Sequence, residues 1–406
     1  MTYLNRTLEP ALRSAASTFR ALELTGPRQA GKTTLLRHVF GETHNYVSLD
    51  DGEHRRHALE DPRDFLETFS PPVIIDEFQK SPDLVGYIKL MIDGAPDDRG
   101  AFILTGSQNL GVSGTVPESL AGRVAVMRLF PLTVAELRGE PHARLLWESG
   151  DEVREARPAS VREAWNRMIR GWYPEVALGV DMDQSLWHSS YLDTYVERDI
   201  SELRGIADRS AFRRFVRVLA SRAGTLLDLT DISRNVDVSP GTIRAWLSLL
   251  EATYQVFLVH PYSANVGKRL TKHPKVYFTD TGSLCHLVGL KSVDHALNGP
   301  MAGQIVENAV VADIHKALSH RLMRDDLYFY RTHAGLETDL VVETSNGLVP
   351  IEVKASGTAS PRWATALERV RMDLGPDRTA PGFVVHPGQV QTPIGRGVVA
   401  IPFRDM

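Results

Sequence analysis

A chain of 406 residues exceeds what one ordinary hydrophobic core organises, so two or three domains are expected. Its 50 acidic and 46 basic side chains give a formal net charge of −4, which excludes a uniformly basic molecule but leaves room for a local basic face: residues 201–300 alone hold 13 Lys and Arg against 8 Asp and Glu. The single Cys285 excludes an internal disulfide framework and a cysteine-caged zinc; no apolar run approaches the roughly 18 residues of a membrane span, so a cytoplasmic protein without a membrane partner is expected.

The opening "MTYLNRTLEPALRSAA" lacks the apolar core of a secretory signal. From residue 20 to 135, "ALELTG", "NYVSLD", "PVIIDE" and "AFILTGS" read as strands, each followed by polar or amphipathic sequence. That alternation predicts an α/β fold, a parallel sheet with helices on both faces. Between the first strand and the helix-like "TTLLRHVF" lies "GPRQAGKTT", which fits the G-x-x-x-x-G-K-[ST] pattern. Glycines at 26 and 31 let the loop curl so that the backbone N–H groups of Gly26, Pro27 to Thr34 (Arg28, Gln29, Ala30, Gly31, Lys32, Thr33; Pro27 itself has none) and the following helix N-terminus point at phosphate oxygens. Lys32 would reach the β and γ phosphates of ATP, and Thr33 would ligate Mg2+.

"PVIIDEFQK" ends a strand in two acids: Asp76 is placed to hold the Mg2+ and Glu77 to polarise an attacking water. "FILTGSQNL" ends a third strand in polar residues, with Ser107 or Asn109 to sense the γ-phosphate or orient the water and a simple strand-end turn as the plain alternative. In "SLAGRVAVMRLFPL", Arg123 is the candidate arginine finger for a neighbouring subunit, Arg28 and Arg128 being further candidates. With "LTGPRQAGKTTLL", "YVSLDD", "PPVIIDEFQKSPDL", "FILTGSQNL" and "ESLAGRVAVMRLFPLTVAEL", the chain resembles the AAA-type ATPases of the extended P-loop class, specifically the bacterial and archaeal family in which such a module precedes a C-terminal domain of unknown function. The resemblance implies ATP hydrolysis and a homo-oligomer.

From about Glu140 to Glu163 the chain turns charged and Pro/Gly-spotted, as a linker or an exposed helical excursion does, and helical periodicity then runs from Trp165 to Glu251. Within it, two short helices flank the turn "VDVSPG", with Ser239 as N-cap and Pro240 at the first helical position, and two β-like runs follow around a basic loop. The order resembles a winged helix-turn-helix. Arg244, Lys268, Arg269, Lys272 and Lys275 would then face DNA phosphates, while docking onto protein is the alternative use of such a module.

The last part reads helix ("GQIVENAVVADIHKALSH"), three strands ("LYFYRT", "ETDLVVET", "GLVPIEVK"), helix and strand ("PGFVVHP"). Side chains alternate along a strand, so Glu352 and Lys354 share a face, and antiparallel pairing across "TSNG" would bring Asp339 beside Glu352. Carboxylates side by side repel unless a cation lies between them; Glu307 on the preceding helix would add another. This arrangement resembles the PD-(D/E)XK nuclease superfamily, with Thr338-Asp339 replacing the usual Pro-Asp. The resemblance implies Mg2+, or Mn2+ in its place, held by Asp339, Glu352 and Glu307, with Lys354 acting on a water. The plain alternative is an ordinary Glu352–Lys354 surface pair.

The expected organisation is thus a P-loop domain at 1–140, a helical lid or linker at 141–210, a winged helix at 211–298 and a restriction-endonuclease-like α/β domain at 299–406. Function is expected to be an ATP-driven action on DNA in which the C-terminal domain cleaves or grips. A regulatory ATPase switch that docks a protein partner is the second reading.

Overall fold

The structure, a computed structural model, describes residues 3–107, 120, 122–148, 160–194, 206, 208–263, 273–323 and 326–406. The first unit is a five-stranded sheet in the order β2-β3-β4-β1-β5. Its strands are β1 (Ala21–Thr25), β2 (Asn45–Ser48), β3 (Val73–Asp76), β4 (Phe102–Gly106) and β5 (Val124–Arg128), every pair parallel. β1, β3 and β4 are buried along their whole length, because helices cover both faces. Helices Glu9–Thr18 and Lys32–Phe40 pack Leu12, Leu35 and Leu36 on one face; Pro62–Thr68 and Leu84–Gly94 pack Phe65 and Ile88 on the other.

Beyond it stand helices Val161–Arg170, Pro174–Leu178 and Gln184–Tyr191, then Arg209–Ala220, Leu229–Val236 and Pro240–Ala252. The last is capped as its sequence demands, Ser239 Oγ accepting the Thr242 N–H at 3.1 Å. β6 (Val256–Pro261) and β7 (Lys275–Phe278) follow as an antiparallel hairpin.

That hairpin does not stand free. β6 pairs in parallel with β8 (Leu327–Arg331) at His260↔Tyr328 and Pro261↔Phe329, so it extends the C-terminal sheet. The sheet has eight strands, in the order β12-β13-β11-β10-β9-β8-β6-β7. The remaining strands are β9 (Glu337–Thr344), β10 (Gly347–Val353), β11 (Gly382–His386), β12 (Thr392–Gly395) and β13 (Val398–Pro402). Helix Ala302–His320 covers one face and Arg362–Leu374 the other. One core runs from Val134 and Trp165 through Val259 and Tyr277 to Ile401, so the boundary expected at residues 298/299 falls inside a continuous sheet and core. The β12–β13 pair was not anticipated. No described helix is long and apolar enough to cross a membrane.

The two sheets meet at a buried polar joint. The extended segment leaving β5 offers backbone groups to one face of helix Ala302–His320: His320 Nε2 accepts the Phe130 N–H at 2.9 Å, Lys316 Nζ donates to Leu132 O at 2.7 Å, and Asp313 Oδ1 accepts the Val134 N–H at 2.9 Å. Residues 313, 316 and 320 share a helix face by their spacing of three and four, and residues 130, 132 and 134 share a strand side by their spacing of two. Glu136, fully buried, completes the joint: Oε1 lies 3.2 Å from Arg6 Nε and 3.3 Å from His320 Nδ1 and accepts the Thr7 N–H at 2.8 Å.

Removing one partner of such a buried set leaves the others uncompensated. Glu136→Ala is therefore expected to lower the unfolding free energy by about 3–5 kcal/mol, read by urea denaturation. Burial holds His320 below its usual value of 6.5, outweighing the pull of Glu136. The unfolded chain takes up a proton near that value and the folded chain does not, so stability is complete above it and declines as the pH falls below it. Melting temperature should drop on going from about pH 7 to 5.5, and less steeply in His320→Gln.

Candidate functional site

The loop between β1 and helix Lys32–Phe40 has the backbone its glycines were expected to supply. Gly26 has φ +148°, and a Cβ there would fall 2.0 Å from Leu129 O; Gly31 has φ +94°. Lys32 is buried and donates through Nζ to Gly26 O at 2.8 Å and Pro27 O at 2.9 Å. Burial draws its pKa down to about 8 against the pull of Glu77 and Asp76. An amine stored on neutral carbonyls, short of counter-charge, is prepared for an incoming polyphosphate.

Asp76, at the end of β3, accepts from Thr33 Oγ1 and from Tyr46 OH through one oxygen, each at 2.7 Å. A hydroxyl and a carboxylate in contact beside the phosphate loop form a donor set that fits Mg2+. Glu77 follows with φ +55°, a left-handed conformation rare in a non-glycine residue and kept where a site requires it. Burial, and then Asp76, push its carboxyl above the usual range, while Lys32 opposes. Gln79 Nε2 donates to Glu77 Oε2 and to Ser107 Oγ, the latter at 3.5 Å, tying the strand-end acid to the buried Ser107 at the end of β4. Asn109 lies outside the described residues.

Arg123 sits at the start of β5, its carbonyl accepting from Ala21 N–H at 3.3 Å, so within this chain it marks the sheet end opposite the phosphate loop. Its Nε lies 2.6 Å from Asp93 Oδ1. Arg128 pairs in register with Thr25, at the phosphate-loop end. Three further residues here belong to no motif. Arg6 donates to Ala30 O at 3.0 Å and to Phe130 O at 2.7 Å; Tyr46 holds Asp76; and Tyr254 OH bonds Thr25 Oγ1 at 2.7 Å, the last residue before the loop. Their only signal is spatial.

The second centre forms where β9 and β10 meet. The antiparallel pairing ends at Ile351↔Leu340, next to Glu352 and Asp339, whose carboxyls act on each other electrostatically, and Asp339 Oδ2 accepts the Val353 N–H at 2.8 Å. Glu307 joins from helix Ala302–His320, and Lys354 Nζ lies 2.6 Å from Glu352 Oε1. Burial, reinforced by Glu352 and Glu307, pushes Asp339 far above the usual carboxylate range; burial also raises Glu307. Glu352 Oε2 is buried with no hydrogen-bond partner among the described residues.

Lys275 corrects an expectation. Placed among the DNA-facing cations by its sequence neighbours, it is 4% exposed and points inward, Nζ lying 3.0 Å from Glu307 Oε1, 3.4 Å from Glu337 Oε1 and 4.0 Å from Asp339 Oδ1. It starts β7, whose four residues are all buried, and so cannot face phosphates. Among the described residues, no three acidic, His or Cys side chains are arranged to hold an ion, so with Lys275 in place the centre does not fit a divalent metal. Glu337 was also missed, although its spacing of two from Asp339 is the relation that linked Glu352 to Lys354. Arg244 is exposed on helix Pro240–Ala252; Lys268, Arg269 and Lys272 lie outside the described residues.

The parallel sheet, the phosphate loop and the acids ending β3 define a P-loop ATPase of the AAA type, and an AAA domain profile matches residues 18–138. Profiles of two domains of unknown function match the rest, DUF8612 at 161–294 and DUF4143 at 302–406. The uncharacterized proteins Rv2008c of Mycobacterium tuberculosis and Mb2031c of Mycobacterium bovis are each 32% identical over 392 residues, spanning 96% of this chain and 82% of theirs. The chain belongs to the family of these two proteins. Among solved structures it is similar to the Walker-type ATPase PABY2304 of Pyrococcus abyssi, with 15% identity, a TM-score of 0.44 and coverage of 69% of this chain and 94% of that one.

An AAA-type ATPase uses ATP with a divalent metal. Lys32→Ala should abolish ATP binding, whereas Glu77→Gln should retain it and lose at least about 100-fold in turnover, as removal of a water-polarising base does; fluorescent-nucleotide titration and phosphate release separate the two.

Proposed function

We propose that the protein couples ATP hydrolysis to an action on DNA, with the C-terminal centre as its phosphodiester-directed part. The observation that carries this reading is the convergence of Asp339, Glu352, Lys354 and Glu307, from two strands and a helix, in one half-buried cluster. Buried carboxylates are costly unless cations or donors meet them, so a cluster of this kind is kept for chemistry more readily than for packing. Asp339 and Glu352 are the acids and Lys354 the group that orients a water beside a scissile phosphate. Lys32, Thr33, Asp76 and Glu77 carry the ATPase part, with Ser107 as γ-phosphate sensor and Arg123 released from Asp93 to serve a neighbouring copy. The helices Leu229–Val236 and Pro240–Ala252, followed by the β6–β7 hairpin, have the order of a winged helix, and the exposed Arg244 on the second helix would meet a DNA phosphate.

A second reading is favoured by Lys275, which already supplies a positive charge to three of the carboxylates. On that reading the centre is silent and the ATPase switch presents its C-terminal part to a protein partner.

Strand cleavage with Mg2+ or Mn2+, with and without ATP, compares them. Nicking by the wild type that disappears in Asp339→Ala supports the first. ATP turnover without cleavage of any DNA or RNA, and without nucleic-acid binding at low salt, leaves the second.

A further inference from the structure

Lys275 belongs to the middle of the chain, yet its charge serves the C-terminal centre. Val259 pairs with it across the hairpin and Leu226 bridges it from the other side. Two residues on, and therefore on the same side of β7, Tyr277 OH donates to the same Glu307 Oε1 at 2.6 Å. The turn before helix Leu229–Val236 closes over the same group: Gly224, with φ +72°, lies where a Cβ would come 3.4 Å from the Glu307 carboxyl. β7 and this turn together roof the carboxylates.

Charge counting shows what the roof does. Glu307, Glu337, Asp339 and Glu352 meet two ammonium groups, Lys275 and Lys354, and the Arg331 guanidinium, whose Nε lies 3.7 Å from Glu337 Oε2. The carboxyl groups still outnumber the cations that meet them. A divalent ion placed among Glu307, Asp339 and Glu352 would sit against the Lys275 ammonium, and like charges repel strongly where water is scarce. The amine and the ion compete for the same oxygens.

We propose that Lys275 is a built-in counter-cation that keeps the carboxylate centre closed to divalent ions, so that a residue from the middle of the chain decides what the C-terminal centre accepts. This rests on reading the cluster as a cation-binding centre.

Mn2+ binding to the nucleotide-free full chain, by calorimetry and by the electron-spin signal of free Mn2+, tests it on wild type, Lys275→Met, Lys275→Arg, Asp339→Ala and Lys275→Met with Asp339→Ala. Melting temperature and ATP binding verify the fold of each; if Lys275→Met melts early, Lys275→Gln, which keeps a donor for Glu307, replaces it. The expected result is an affinity at least about tenfold higher in Lys275→Met than in wild type, no gain in Lys275→Arg, and loss of the gain when Asp339 is also removed. If wild type and Lys275→Met bind Mn2+ equally through Asp339, the gate is wrong and the cation centre stands. If no variant shows Asp339-dependent binding, both the gate and the reading beneath it are overturned.

Discussion

The structure depends on how one extended segment, residues 130 to 134, satisfies its backbone. It leaves the edge strand β5 and runs into the protein interior, where no neighbouring strand is available and an unpaired peptide group would be costly. Three side chains of helix Ala302–His320 stand in for the missing strand. Lys316 is fully buried and is tolerated because it lies 3.5 Å from Asp313 Oδ1, donates to Leu132 O and sits 4.6 Å from the centre of the Trp172 ring. An apolar interface would have left the backbone of the segment unsatisfied, so burying charge is here the less costly solution. It also fixes orientation, since three bonds at alternate peptide groups set one register between helix and segment.

The same joint reaches the nucleotide. Arg6 holds Ala30 O in the phosphate loop and Phe130 O at the head of the segment, and its charge is met by Glu136, which also faces His320. A second link runs through Thr25 and Tyr254, just ahead of the hairpin that carries Lys275. Two ends of the phosphate loop are therefore tied to the two elements that build the C-terminal centre, one through helix Ala302–His320 and one through the turn into β6.

What could be read from the sequence follows the range over which the physics acts. The phosphate loop, the Asp76-Glu77 strand end, the Ser239 cap and the alternation that sets Glu352 beside Lys354 are local: spacing within about ten residues determines them, and the parallel-sheet ATPase fold follows from their order. Helix Ala302–His320 shows where that stops. Its charged positions 313, 316 and 320 look like a solvated face, but the helix is buried almost all round, and nothing nearby in sequence says that the polar stripe answers a backbone 180 residues earlier. Lys275 was misplaced for the same reason. Its basic neighbours at 268, 269 and 272 suggested a surface loop, while its partners lie at 307, 337 and 339. Joining β6 to β8 takes only two residue pairs, too short a pattern to see in either strand.

The two buried lysines show how the centres differ in what they await. Lys32 rests on the carbonyls of Gly26 and Pro27, dipoles rather than charges, and burial lowers its pKa to about 8. An incoming polyanion gives it a better partner than it has, so the first centre gains by opening its own contacts. Lys275 suffers burial too, but Glu307 and Asp339 outweigh it and hold the amine above its ordinary value. Its partners are already ionic, and an anion offers it nothing. Only another cation could take its place among these carboxylates. The first centre is thus poised for its ligand as it stands, whereas the second already holds cations of its own, and a divalent ion entering it would have to meet the Lys275 ammonium.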